Sequence, residues 1–133
     1  MYKILTLEND KFLLEILSEW LMEMGFYSVK AHTVQEGYER LKEEDPDLIL
    51  CSYTLPDGNG LELLKKIRSD FKYEKKPFIL TTGYEFKTTD KWPTNYLPNA
   101  ILYKPFWPQM LLEMLHCYLP DKPEQNKASF CLY

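Results

Sequence analysis

Four apolar runs in this chain each stop at a polar group, and the groups differ from run to run. Tyr2-Lys3-Ile4-Leu5-Thr6-Leu7 stops at Glu8-Asn9-Asp10, and Asp47-Leu48-Ile49-Leu50-Cys51 stops at Ser52. Pro77-Phe78-Ile79-Leu80-Thr81 stops at Thr82, and Ala100-Ile101-Leu102-Tyr103 stops at Lys104. If the runs are neighbouring parallel strands, these ends share one crevice, because open α/β sheets present their reactive groups at the carboxyl ends of the strands. The crevice would hold a carboxylate (Glu8), an amide (Asn9), two hydroxyls (Ser52, Thr82) and an ammonium (Lys104). A serine hydroxyl attacks only after a base removes its proton. No base with that role follows from the sequence, since His32 and His116 are expected elsewhere on the fold. The charges that remain are those of Glu8 and Lys104. We expect them to pair directly or through water, with Asn9 and Ser52 bridging by hydrogen bonds, and we expect no enzyme activity.

The elements that must position these groups alternate. After the first run, Leu13, Ile16, Leu17, Trp20, Leu21 and Met24 recur at helical spacing, with Asn9 or Asp10 as cap and Gly25 as stop. Phe26 to Ala31 reads as a second strand. Thr33 and Glu36 fit a capping box that opens a helix ending before Pro46. The run at 47–52 is apolar on both faces, which suits the middle of a parallel sheet. Pro56-Asp57-Gly58-Asn59-Gly60 is turn chemistry leading into an amphipathic helix from Leu61 to Arg68. Asp57 reads as a turn residue before Gly58. Two more strands follow, and Pro108 at a first helical position opens a last helix over Gln109 to Leu119. Five strands alternating with helices predict a three-layer α/β/α sandwich around a five-stranded parallel sheet. Between Gly83 and Asn99 a fourth helix is due, but Pro93, Pro98 and Thr88-Thr89 predict that it is short or broken.

Composition narrows the function. A chain of 133 residues with 45% hydrophobic and 27% charged residues is one globular domain's worth. We assign 1–119 to the domain and 120–133 to a C-terminal tail, within which Phe130-Cys131-Leu132-Tyr133 is apolar enough to dock. No run is long enough to span a membrane, and the net charge of −4 argues against nucleic acid, so neither is expected as a partner. Cys51, Cys117 and Cys131 are scattered, which argues against a disulfide framework and a zinc site and for a reducing cytoplasm. Cys51 reads as an inert buried strand residue.

Pro46-Asp47-Leu48-Ile49-Leu50, Leu55 to Leu64, Pro77 to Thr82 and Lys104-Pro105-Phe106, with intervals of 30 residues from 52 to 82 and 22 from 82 to 104, carry a resemblance. The chain resembles the response-regulator receiver domains of two-component signalling, from Lys3 to Leu119. The resemblance implies a flavodoxin-like fold, a cis Lys104–Pro105 bond, and a phosphorelay in which an Asp ending the third strand takes a phosphoryl group from a phosphohistidine. It also implies a Mg²⁺ held by that Asp and two acids after the first strand, a switch hydroxyl at Thr82, a phosphate-pairing Lys104, and an aromatic switch residue at position 101.

The sequence departs from that pattern. The acceptor position holds Ser52, the acid pair is Glu8-Asn9, and the switch position holds Ile101, while Thr82 and Lys104 are kept. Serine cannot form an acyl phosphate, and one carboxylate with two neutral oxygens is a poor Mg²⁺ site. The expectation is therefore a degenerate receiver, or pseudo-receiver. It would have no catalytic residue, a vestigial metal site at Glu8 and Asn9, weak or absent Mg²⁺ binding and no other cofactor. It would act on protein partners, a histidine kinase or a downstream regulator, with a homodimer through the fourth- and fifth-helix face as one form. A functional phosphoreceiver with unusual chemistry is the alternative. An unrelated flavodoxin-like cofactor binder is disfavoured, because Leu7-Glu8-Asn9-Asp10-Lys11 is no phosphate cradle.

Overall fold

The computed structural model describes residues 1–84 and 92–120. Within them the order is β1 (Lys3–Leu7), α1 (Lys11–Glu23), β2 (Tyr27–Ala31), α2 (Val34–Glu44), β3 (Leu48–Ser52), β4 (Thr54–Leu55), β5 (Gly58–Asn59), α3 (Gly60–Ser69), β6 (Phe78–Thr82), β7 (Ala100–Tyr103) and α4 (Pro108–Tyr118). Five strands form a parallel sheet in the order β2-β1-β3-β6-β7, with β3 at its centre. This is the expected flavodoxin-like order.

The central strand explains the layering. All five residues of β3 are buried. Ile49 and Cys51 join the core beneath α2 and α3, while Leu48 and Leu50 join the core beneath α1 and α4. β1 and β6 divide in the same way, with Leu5, Leu7, Phe78 and Leu80 on one side and Ile4 and Ile79 on the other. Two-residue alternation with apolar groups at every position forces a helical layer onto each face.

Helix termini follow the sequence closely. Asp10 Oδ1 accepts from the Phe12 and Leu13 N–H groups, and Thr33 Oγ1 accepts from Glu36 N–H at 3.0 Å. The Glu36 carboxylate reaches back one residue further than a capping box requires, accepting from His32 N–H at 3.4 Å. Gly25 ends the first helix at φ +93°. The turn-rich segment at 56–60 contains a small antiparallel pair, Thr54 opposite Asn59 and Leu55 opposite Gly58. Gly60 opens α3 so close to β3 that a Cβ there would meet the Ser52 carbonyl oxygen at 2.5 Å.

Among the described residues no helix lies between β6 and β7, although part of the expected fourth helix, 85–91, is outside them. Residues 92–99 are irregular, with Trp92 Nε1 donating to the Tyr96 carbonyl at 2.9 Å. The expected tail lies outside the described residues from 121 onward. One expectation is corrected: Cys117 is disulfide-bonded, whereas Cys51 is free and buried as expected. No helix among the described residues is long and apolar enough to cross a membrane.

Candidate functional site

The parallel register brings the carboxyl ends of β1, β3, β6 and β7 side by side. Leu7 pairs with Cys51, Ser52 with Thr81 and Thr82 with Tyr103, so Glu8, Ser52, Thr82 and Lys104 emerge along one edge. The Lys104–Pro105 peptide is cis, as expected.

Lys104 and Glu8 pair directly. Lys104 Nζ stands 2.6 Å from Glu8 Oε1, and the Glu8 side chain is 2% exposed against 28% for Lys104. The second carboxylate oxygen is occupied too: Glu8 Oε2 accepts from Asp10 N–H at 2.8 Å. Both oxygens of a buried anion are thus satisfied by charge-assisted bonds, the condition under which a buried carboxylate is tolerated. Lys104 also donates to Ser52 Oγ at 3.4 Å, a long bond that adds little beside the ion pair.

The other expected members hold looser positions. Asn9 is exposed and its side chain makes no hydrogen bond among the described residues, which corrects the expected bridging role. Thr82 is buried, and its hydroxyl accepts from Tyr84 N–H at 2.9 Å, closing a turn at the end of β6. Lys104 N–H donates to the Thr82 carbonyl at 2.8 Å, so the two residues are neighbours through backbone. Ile101 is half-buried against the core beneath α2 and α3.

Two residues carry roles that the sequence reading missed. Asp57 supplements the Thr33 cap of α2 from 23 residues away, accepting from Val34 N–H at 2.8 Å and Gln35 N–H at 3.1 Å. Desolvation works to raise its carboxyl pKa, but the hydrogen bonds from Val34 and Gln35 outweigh it and hold the group below the usual carboxylate range. The nearest sequence signal was the turn density around it, which says nothing of so distant a partner. The second is His32, expected away from the pocket. Its Nδ1 lies 3.2 Å from the Glu8 carbonyl oxygen, against the backbone of the pocket but not its carboxylate. His116 sits on α4 and is exposed, apart from the pocket as expected.

Cys51, immediately before Ser52, is fully buried. Burial, with the Glu8 charge adding and Lys104 opposing, drives its thiol pKa far above the ordinary value, so it stays protonated and inert.

The donor set can be weighed against a divalent cation. Mg²⁺ needs near-octahedral oxygens and gives up water reluctantly. Among the described residues the pocket's one carboxylate, Glu8, has both oxygens engaged by Lys104 and Asp10, and Ser52 offers a neutral hydroxyl. Among the described residues no group of three or more His, Cys, Asp or Glu could hold a metal. These residues do not fit Mg²⁺.

Comparison with known proteins places this geometry. The response regulator receiver domain model matches residues 4–116. The transcriptional regulatory protein CrdR of Helicobacter pylori is 34% identical over 121 residues, spanning 91% of this chain and 56% of CrdR, so the chain covers little more than half of that relative. A chemotaxis protein CheY homolog of Campylobacter jejuni is 32% identical over 115 residues, spanning 85% of this chain and 88% of the homolog. The solved structure of the chemotaxis response regulator CheY4 of Vibrio cholerae shares the fold with a TM-score of 0.80 at 22% identity, covering 87% of this chain and 97% of that one. The five-stranded sheet, the pocket at its carboxyl edge and a family match over most of its length agree: this chain belongs to the response regulator receiver domain family of two-component signalling.

Proposed function

We propose that this receiver works without taking up a phosphoryl group, as a protein-interaction module held in one state. The observation that carries the reading is the 2.6 Å pair between Lys104 and Glu8 beside a buried Ser52. In a phosphoreceiver the lysine answers the charge of a phosphorylated aspartate. Here its ammonium is already answered by Glu8, and the neighbouring group is an alcohol with no base positioned to deprotonate it among the described residues. The pocket is close to neutral as built, so no ion is required to relieve crowded carboxylates. Without acceptor or metal, signalling passes through surfaces and the output belongs to partners, a histidine kinase or a downstream regulator. Trp107, 74% exposed ahead of α4, and Met110 on its first turn give that side an apolar contact face for such a partner or for a second copy.

The test is a titration of the whole chain with Mg²⁺, with and without acetyl phosphate, followed by tryptophan fluorescence and intact mass. The expected result is no saturable fluorescence change and no added phosphate. A Mg²⁺-dependent change, or phosphate mapped to Ser52, contradicts the reading and favours a working phosphoreceiver of unusual chemistry.

A further inference from the structure

Helix α4 has an inner and an outer side. Leu111 and Leu115, with Leu119 at its cap, are buried in the core beneath α1 and α4. Cys117 stands two residues from both Leu115 and Leu119, which at about 100° per residue sets it on the outer side. Met114, one turn earlier, flanks it and is half-buried, and Met110, two turns earlier, shares its side and is exposed. Cys117 is half-buried despite its outward place, and it is disulfide-bonded.

We propose that Cys131 is the other half of this bond, and that it holds the apolar segment Phe130-Cys131-Leu132-Tyr133 against the outer side of α4, over Met114. The chain has three cysteines, and Cys51 is free and buried in β3, which leaves Cys131 as the partner within the chain. The eleven residues after Pro120 that end at Cys131 span at most about 40 Å when extended. A disulfide requires Cα atoms about 4–7 Å apart, so the length is ample for a return onto α4. Asp121, Pro123 and Asn126 favour the turns that such a reversal needs. Once Cys131 is pinned, Phe130, Leu132 and Tyr133 stand within two residues of the bond, about 7 Å of chain. Met114 lies about 4.5 Å along the helix axis from Cys117, within their reach. A methionine against two aromatic rings is a favourable pairing.

The bond makes the contact reversible. In the reducing compartment expected for this chain, disulfides are mostly transient or redox-sensing. A dithiol reductant passes two electrons and two protons to the sulfurs of Cys117 and Cys131, leaves both as thiols, and itself becomes a disulfide. The segment is then untethered, and Met114 and Cys117 extend the exposed side that Met110 begins. That this enlarges a partner-binding surface rests on the contact face proposed above; the docking itself does not.

The test uses the full chain oxidised with diamide, examined by non-reducing peptide mass spectrometry and by hydroxyl-radical footprinting. The expected product is a monomer with a Cys117–Cys131 link, in which Met114 is modified severalfold more slowly than in Cys131→Ser. Phe130→Ser with Leu132→Ser should keep the link yet lose most of the Met114 protection, which separates a docked segment from a bare tether. Free thiols at 117 and 131 after oxidation, or a Met114 rate that neither variant changes, would overturn the proposal. A covalent dimer joined through Cys117 would overturn it in favour of a second copy as the occupant. Neither Mg²⁺ nor acetyl phosphate enters these readouts, so this proposal and the reading of the pocket fail separately.

Discussion

Glu8 decides how the pocket behaves, because a carboxylate at 2% exposure must have partners. Replacing Lys104 by Met leaves that anion with the Asp10 amide alone. We expect a loss of about 3 kcal/mol in urea unfolding, the low end for breaking a buried pair because Lys104 is partly solvated. Adding Glu8→Gln to Lys104→Met should recover most of it, the signature of a coupled pair in a double-mutant cycle. Asn9→Asp with Ser52→Asp should create Mg²⁺ binding, measured by calorimetry, by adding two carboxylates beside Glu8. A double variant that stays blind to Mg²⁺ would mean that the pocket differs in more than these side chains. At this scale the sequence made Glu8, Ser52 and Lys104 legible, since each follows directly on a strand and strand ends converge. It did not reveal that Asn9 turns out into solvent, because a side chain in a loop is oriented by neighbours rather than by its place in the chain. Asp57 eluded the reading for a related cause: its partners at Val34 and Gln35 meet it only in the folded state.

Among the elements, the link with the most consequence is that same cap. The Asp57 carboxylate ties the loop after β3 to the amino end of α2, where backbone N–H groups and the helix dipole favour a negative charge. Asp57→Asn keeps the shape and removes the charge, and should cost about 0.5–1 kcal/mol in thermal or urea unfolding. The folded-state carboxyl titrates below its unfolded value. Its contribution is therefore complete above about pH 4 and is lost as pH falls further, so parent and variant should converge in acid. No convergence would mean that the charge contributes nothing. The helices and parallel strands were readable because apolar period and capping residues agree with the tertiary fold at Asp10, Thr33 and Pro108. The pairing of Thr54–Leu55 with Gly58–Asn59 was not, since two-residue strands have no period to detect. The reach of Glu36 to His32 instead of Thr33 depends on a difference of one residue that pattern alone cannot resolve.

Taken whole, the molecule is ordered by one parallel sheet. Its carboxyl edge carries the pocket of Glu8, Ser52, Thr82 and Lys104. The central place of β3 was foreseeable because it is apolar on both faces, while the order of the remaining strands came with the family resemblance. The disulfide at Cys117 escaped, because scattered spacing in sequence says little about distance in space. The most direct test of the central claim is the amide NMR spectrum of the chain with Mg²⁺ and beryllofluoride, an acyl-phosphate mimic. The account predicts that the resonances of Ser52, Thr82, Ile101 and Lys104 stay where they are. Saturable shifts at these positions, dependent on both Mg²⁺ and beryllofluoride, would contradict it.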